Sequence, residues 1–230
     1  MTFHEGTQID TSTTSSGGGG RGPGRGMAIG GGVGGLVVVV IALLLGVDPG
    51  TITGGSQPQA GQQSQDVGGY DVSQCKTAED ANTKPECRII ATGNSVDAVW
   101  TQQLGKEYTR PRIQLFRVRV ATACGEASTD VGPFYCPGDD TAYFDTAFLT
   151  VLRDQLGSST GPFAQEYIVA HEFGHHVQDL LGDLGKAQQG VQGAQGNGVR
   201  TELQADCYAG VWAHYATIPQ SNGTTYLDPL

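Results

Sequence analysis

Basic residues are scarce in this chain of 230: 13 Lys+Arg stand against 23 Asp+Glu, for a net charge of −10. A nucleic-acid surface needs a basic footprint, so nucleic acid is not an expected partner. No internal repeat and no collagen period occurs, which argues against repeat architectures. The five cysteines show no C-x2-C spacing, which speaks against a zinc site built from four cysteines. Residues 1–26 lack apolar periodicity and are rich in Gly, Ser and Thr, so they are expected to be a disordered cytoplasmic tail. Charge is wholly missing from Met27 to Val47.

That charge-free run is long enough, as a helix, to cross a bilayer core of about 30 Å. Arg21 and Arg25 precede it, and no Lys or Arg follows until Lys76. The positive-inside rule then predicts a single-pass helix over 27–47 in the cell membrane, with the N-terminus cytoplasmic and the body outside. A cleaved signal peptide is the competing reading; the long preceding tail and the lack of an Ala-x-Ala site after Leu45 speak against it. Small-xxx-small spacing at Gly30 and Gly34 allows weak self-association through the span. Residues 48–69 are rich in Gly, Gln and Ser and read as a flexible linker.

Glycine is what the chain has in excess, 36 residues, 20 of them within 1–69. The rest, 70–230, is the size of one domain and carries 11 Lys+Arg against 19 Asp+Glu. All five cysteines lie in it: Cys75, Cys87, Cys124, Cys136 and Cys207. An extracytoplasmic body permits disulfides. The simplest pairing is Cys75–Cys87 with Cys124–Cys136, one of three possible connectivities, and it leaves Cys207 over.

Along the body, spacing predicts a helix over 95–108, and alternation predicts a strand over 112–122 with Phe116, Val118 and Val120 on one face. An irregular loop is expected over 125–140 and a short strand over 141–144. Asp145 can cap a helix that buries Phe148, Leu149, Leu152 and Leu156. The longest apolar period runs over 163–181, with Pro162 fitting a first turn and Gly182 a stop. A last helix spans about 199–216. The order reads as α+β with a small sheet.

The 163–181 helix contains His171-Glu172-Phe173-Gly174-His175, the pattern H-E-x-x-H. Positions i and i+4 share a helix face, so His171 and His175 can hold one zinc ion, Zn2+. Glu172, one residue on, can reach a water on the metal and act as general base. His176 points elsewhere and reads as structural. A metzincin would carry Gly and His where this chain has Gln178 and Leu181, so that class is excluded. Glu202 and Asp206 form another i, i+4 pair in the last helix. Glu202 is the expected third ligand, and Asp206 the acceptor for the outer ring N–H of His171.

These blocks, with Val131-Gly132-Pro133-Phe134-Tyr135-Cys136 and Tyr143-Phe144-Asp145, resemble the bacterial putative neutral zinc metallopeptidase family over roughly residues 85–218. The resemblance implies a zincin-like fold of the gluzincin type, a membrane anchor, and peptide or protein as substrate. It implies an edge strand at 142–145 to pair with extended substrate. It also implies further helices beyond Leu230, with a cysteine there for Cys207. His214, Tyr208, Tyr215 and Tyr143 are the candidates for the oxyanion donor. The expected function is a membrane-anchored zinc endopeptidase; the alternative is a non-catalytic cell-envelope interaction module with a structural zinc site.

Overall fold

A computed structural model describes residues 1–17, 69–148, 161–187, 189, 193, 195–218 and 225–228. The 27–47 span, most of the linker, and the Leu149, Leu152 and Leu156 face lie outside these residues.

Short polar signals start and stop the helices. Helix α1 (Ala78–Thr83) opens on a capping box, in which Thr77 and Asp80 satisfy each other's backbone N–H groups. Helix α2 (Pro85–Leu104) has proline at its first position, and Gly105 at φ 57° ends it. Helix α3 (Pro162–Leu180) opens the same way, and Gly182 at φ 74° follows it. Helix α4 is Asn197–Ala216. The sequence predicts α2 only from residue 95. Its first half buries Arg88, Ile89, Ile90, Ala91 and Thr92 together, so no amphipathic stripe marks it. The Arg88 guanidinium survives burial by donating to Gln165 Oε1 and the Asn82 carbonyl.

Four strands make the main sheet: β1 (Thr14–Ser16), β2 (Arg112–Leu115), β5 (Phe134–Cys136) and β6 (Thr141–Phe144). The order is β1-β2-β6-β5, parallel except for the β6–β5 pair. Strands β3 (Arg119–Thr122) and β4 (Gly125–Ser128) form a separate hairpin. Helices α2, α3 and α4 pack on one another, and α3 also contacts β5 and β6. The result is α+β with small sheets.

Three expectations change. The 112–122 strand is two strands, broken where Val118 takes φ 65° and is 54 % exposed, not on the face of Phe116 and Val120. Asp145 accepts from the Val118 N–H and holds that break. The 125–140 loop contains β4 and β5. The 142–145 segment is not an edge: β6 lies between β2 and β5, and the edges are β1 and β5.

The largest correction concerns the tail. Residues 1–17 are built into the body. Phe3 is 2 % exposed in the main core, and the Asn82 side chain bonds both its N–H and its carbonyl. Asn94 clasps Asp10 in the same two-way manner. The Met1 ammonium lies 3.8 Å from Glu166 of α3, a carboxyl that burial pushes up to about 7. Strand β1 pairs with β2 through backbone bonds that ask nothing of its Thr and Ser side chains. Composition cannot report such anchoring, because a few scattered apolar residues, two asparagine side chains and backbone pairing carry it. Gly69 then packs directly on Ser16 and Gly17.

A packed tail makes Phe3 a core residue. Phe3→Ala should cost about 3 kcal/mol of unfolding free energy in denaturant titration; a detached tail would give no change.

Candidate metal centre

α3 and α4 cross closely because Gly174 faces Ala205. A Cβ on Gly174 would lie 3.0 Å from the Ala205 carbonyl oxygen and 3.3 Å from its Cβ. This contact sets the His171 and His175 face of α3 against the Glu202 and Asp206 face of α4. One ligand atom each from His171, His175 and Glu202 falls within 4.8 Å of the others. His171 Nε2 is 3.2 Å and His175 Nε2 3.4 Å from Glu202 Oε2. The two imidazoles meet edge to face at 90°. All three side chains and Glu172 are buried.

Electrostatics separates the two glutamates. Burial opposes charge on Glu202, but the hydrogen bond from His171 and the His175 imidazole 3.4 Å away overcome it and hold its pKa down to about 2. Burial dominates at Glu172 and raises it, assisted by Glu202 and opposed by the two imidazoles. The backbone of Tyr135 in β5 also works, more weakly, against that rise. Burial works against protonated His171, yet hydrogen bonds to Asp206 and Glu202 hold it up at about 10. His175 is raised as well, against burial, by Glu202 and Glu172.

A divalent cation fits this donor set. Glu202 Oε1, Glu172 Oε2 and His175 Nε2 are buried without a hydrogen-bond partner. Such atoms each cost about 1–3 kcal/mol unless something answers them. Two imidazoles and a carboxylate are the donors zinc takes, with a position left for water.

Asp206 sits where the sequence places it, its Oδ1 2.9 Å from His171 Nδ1. The same oxygen accepts from the Tyr167 hydroxyl at 2.7 Å. Sequence reasoning missed Tyr167, although it stands one turn before His171. It also missed Gln178, whose Oε1 lies 2.8 Å from His175 Nδ1. His176 is structural: its Nε2 donates to the Thr109 carbonyl, and its Nδ1 meets the Tyr135 hydroxyl. The Tyr135 hydroxyl in turn donates to Asp179, which ties the edge strand to α3.

The oxyanion candidates have contacts elsewhere. Tyr143 donates to Asp139, Tyr208 packs on Trp100, and His214 on Tyr215. Cys75 pairs with Cys87, and Cys124 with Cys136, as the simplest connectivity predicts. Cys207 is exposed and has no disulfide partner among the described residues.

Residues 2–225 match the family described as "Putative neutral zinc metallopeptidase". The chain is 63% identical over 232 residues to the uncharacterized protein Rv2575 of Mycobacterium tuberculosis, covering 100% of this chain and 78% of that one. It is 42% identical over 188 residues to the uncharacterized protein YpfJ of Escherichia coli K12, covering 78% of this chain and 61% of that one. No solved structure matches.

Imidazoles bind metal only when deprotonated, and His171 stays protonated up to about 10 in the metal-free cluster. Zinc uptake near neutral pH should therefore release roughly one proton or more, and affinity should weaken as pH falls. Calorimetric titration in buffers of different ionisation enthalpy measures this. A heat that does not change with buffer would contradict it.

Proposed function

This chain belongs to the putative neutral zinc metallopeptidase family, and we propose that it is a zinc-dependent endopeptidase with Glu172 as its general base. The observation that carries the proposal is the convergence of His171, His175 and Glu202 beside a buried carboxylate of raised pKa. His171, His175 and Glu202 would hold the ion. Zinc in such a site lowers the pKa of a water from about 15.7 toward about 7 and acts as a Lewis acid at a carbonyl oxygen.

The residues supply the rest. Glu172 sits in a dry environment that favours its protonated form. It is therefore suited to take a proton from the attacking water and pass it to the leaving nitrogen. Asp206 fixes the His171 ring. Extended peptide substrate would add to the free edge of β5, in place of the 142–145 segment that the resemblance suggested. A purely structural zinc site has no use for Glu172, and this favours catalysis over an interaction module.

Membrane attachment through Met27–Val47 stays part of the proposal. Among the described residues no helix is long and apolar enough to cross a membrane. The pairing of β1 with β2 supports an orientation other than the one expected from charge. A single crossing at 27–47 would part residues 1–17 from the body. In the reading we favour, both lie on one side of the membrane, the side that permits the two disulfides.

Two measurements test these readings. The full chain is the right material, because a fragment from residue 70 lacks β1. Glu172→Gln should keep its zinc, while casein cleavage falls about 10²–10⁴-fold. A wild-type chain with full zinc and no cleavage would refute the peptidase. Epitope tags inserted at the exposed turns around Gly6 and Gly105 should be digested together when protease is added to intact spheroplasts. Digestion of only one of them would restore the single crossing.

A further inference from the structure

The two histidines of the centre are held differently, and the difference points to a residue with no role so far. His171 Nδ1 faces the Asp206 carboxylate. His175 Nδ1 faces Gln178, a fully buried amide whose oxygen and nitrogen ends must be told apart by their partners.

Those partners leave one choice. One end of the Gln178 amide lies 2.6 Å from the backbone carbonyl of Thr201 in α4. A carbonyl oxygen can only accept, so that end is the NH2 group. Its second hydrogen goes to Gln204 Oε1 at 2.9 Å. The Gln204 amide is oriented likewise, because its Nε2 donates to the Asp183 carboxylate. The Gln178 oxygen is thereby turned toward His175 and can only accept. His175 Nδ1 must carry the hydrogen, and its Nε2 is left facing Glu202 and the other ligand atoms. That Nε2 has no hydrogen-bond partner of its own.

We propose that Gln178 is the positioning residue for His175. It holds the imidazole as the Nδ1–H tautomer with Nε2 directed at the metal cluster, as Asp206 does for His171. The proposal rests on the zinc reading above. Its logic is that a backbone carbonyl of α4 fixes an amide of α3, and the amide fixes a ligand of α3. The chain of bonds therefore makes metal affinity depend on how the two helices dock.

The test compares two apolar replacements in the full chain, read by zinc affinity in chelator competition and by the visible spectrum after cobalt substitution. Gln178→Met should weaken zinc about 10–100-fold and alter the cobalt bands. Gln204→Met cuts the same inter-helix network but leaves Thr201 to orient Gln178. It should lower the thermal midpoint and leave affinity and spectrum as in the wild type. Wild-type affinity in Gln178→Met overturns the proposal while the zinc site stands. A wild-type chain that takes up no zinc overturns both. Should Gln178→Met fail to fold, nitrogen-15 NMR of the zinc-loaded wild type decides. A proton on His175 Nδ1 supports the assignment, and one on Nε2 refutes it.

Discussion

The close approach of α3 and α4 at Gly174 and Ala205 is the contact on which the centre depends. Gly174 lies inside the motif, between His171 and His175, and nothing larger fits without moving α4 by some tenths of an ångström. Packed interiors pass such shifts on instead of absorbing them. The ligand atoms stand 3.2 and 3.4 Å apart across the same gap. Glu202, Ala205 and Asp206 form one face of α4, so backbone contact and metal geometry are set together. The glycine between the histidines therefore serves the packing that places Glu202 against them.

The second theme is the unequal treatment of similar groups. Glu202 and Glu172 are both buried against the same imidazoles, yet one is pushed down and the other up. The hydrogen bond from His171 and the adjacent His175 imidazole make the difference at Glu202. Carboxylates driven apart in this way can take separate tasks, one as ligand and one as base. The pattern repeats in the histidines, one held by a carboxylate and the other by an amide.

Much of the centre could be read from sequence because helical spacing is rigid. His171 with His175, and Glu202 with Asp206, share faces by geometry alone, and α3 and α4 fall within a few residues of where periodicity puts them. What escaped was tertiary. The Tyr135 backbone bears on the charge of Glu172 from a strand whose position depends on β6, and a backbone group leaves no mark in sequence. Gln178 looks like any polar residue until Thr201 is known to face it. The apolar period cannot show the first half of α2, because Arg88 and Thr92 are buried beside Ile89 and Ile90. Residues 1–17 escape for a different reason: a disordered tail and a polar edge strand have the same composition.

The meeting of Gly69 with Ser16 and Gly17 has a bearing on how the chain can vary. Ser16, Gly17 and Gly69, the described residues that flank 18–68, lie against one another. The entropy of closing a flexible loop grows only with the logarithm of its length, about 0.6 kcal/mol for each doubling. A fold whose flanking ends already meet is therefore nearly indifferent to how many residues lie between them. It constrains the two ends only, so the sequence between them can vary without touching α3 and α4.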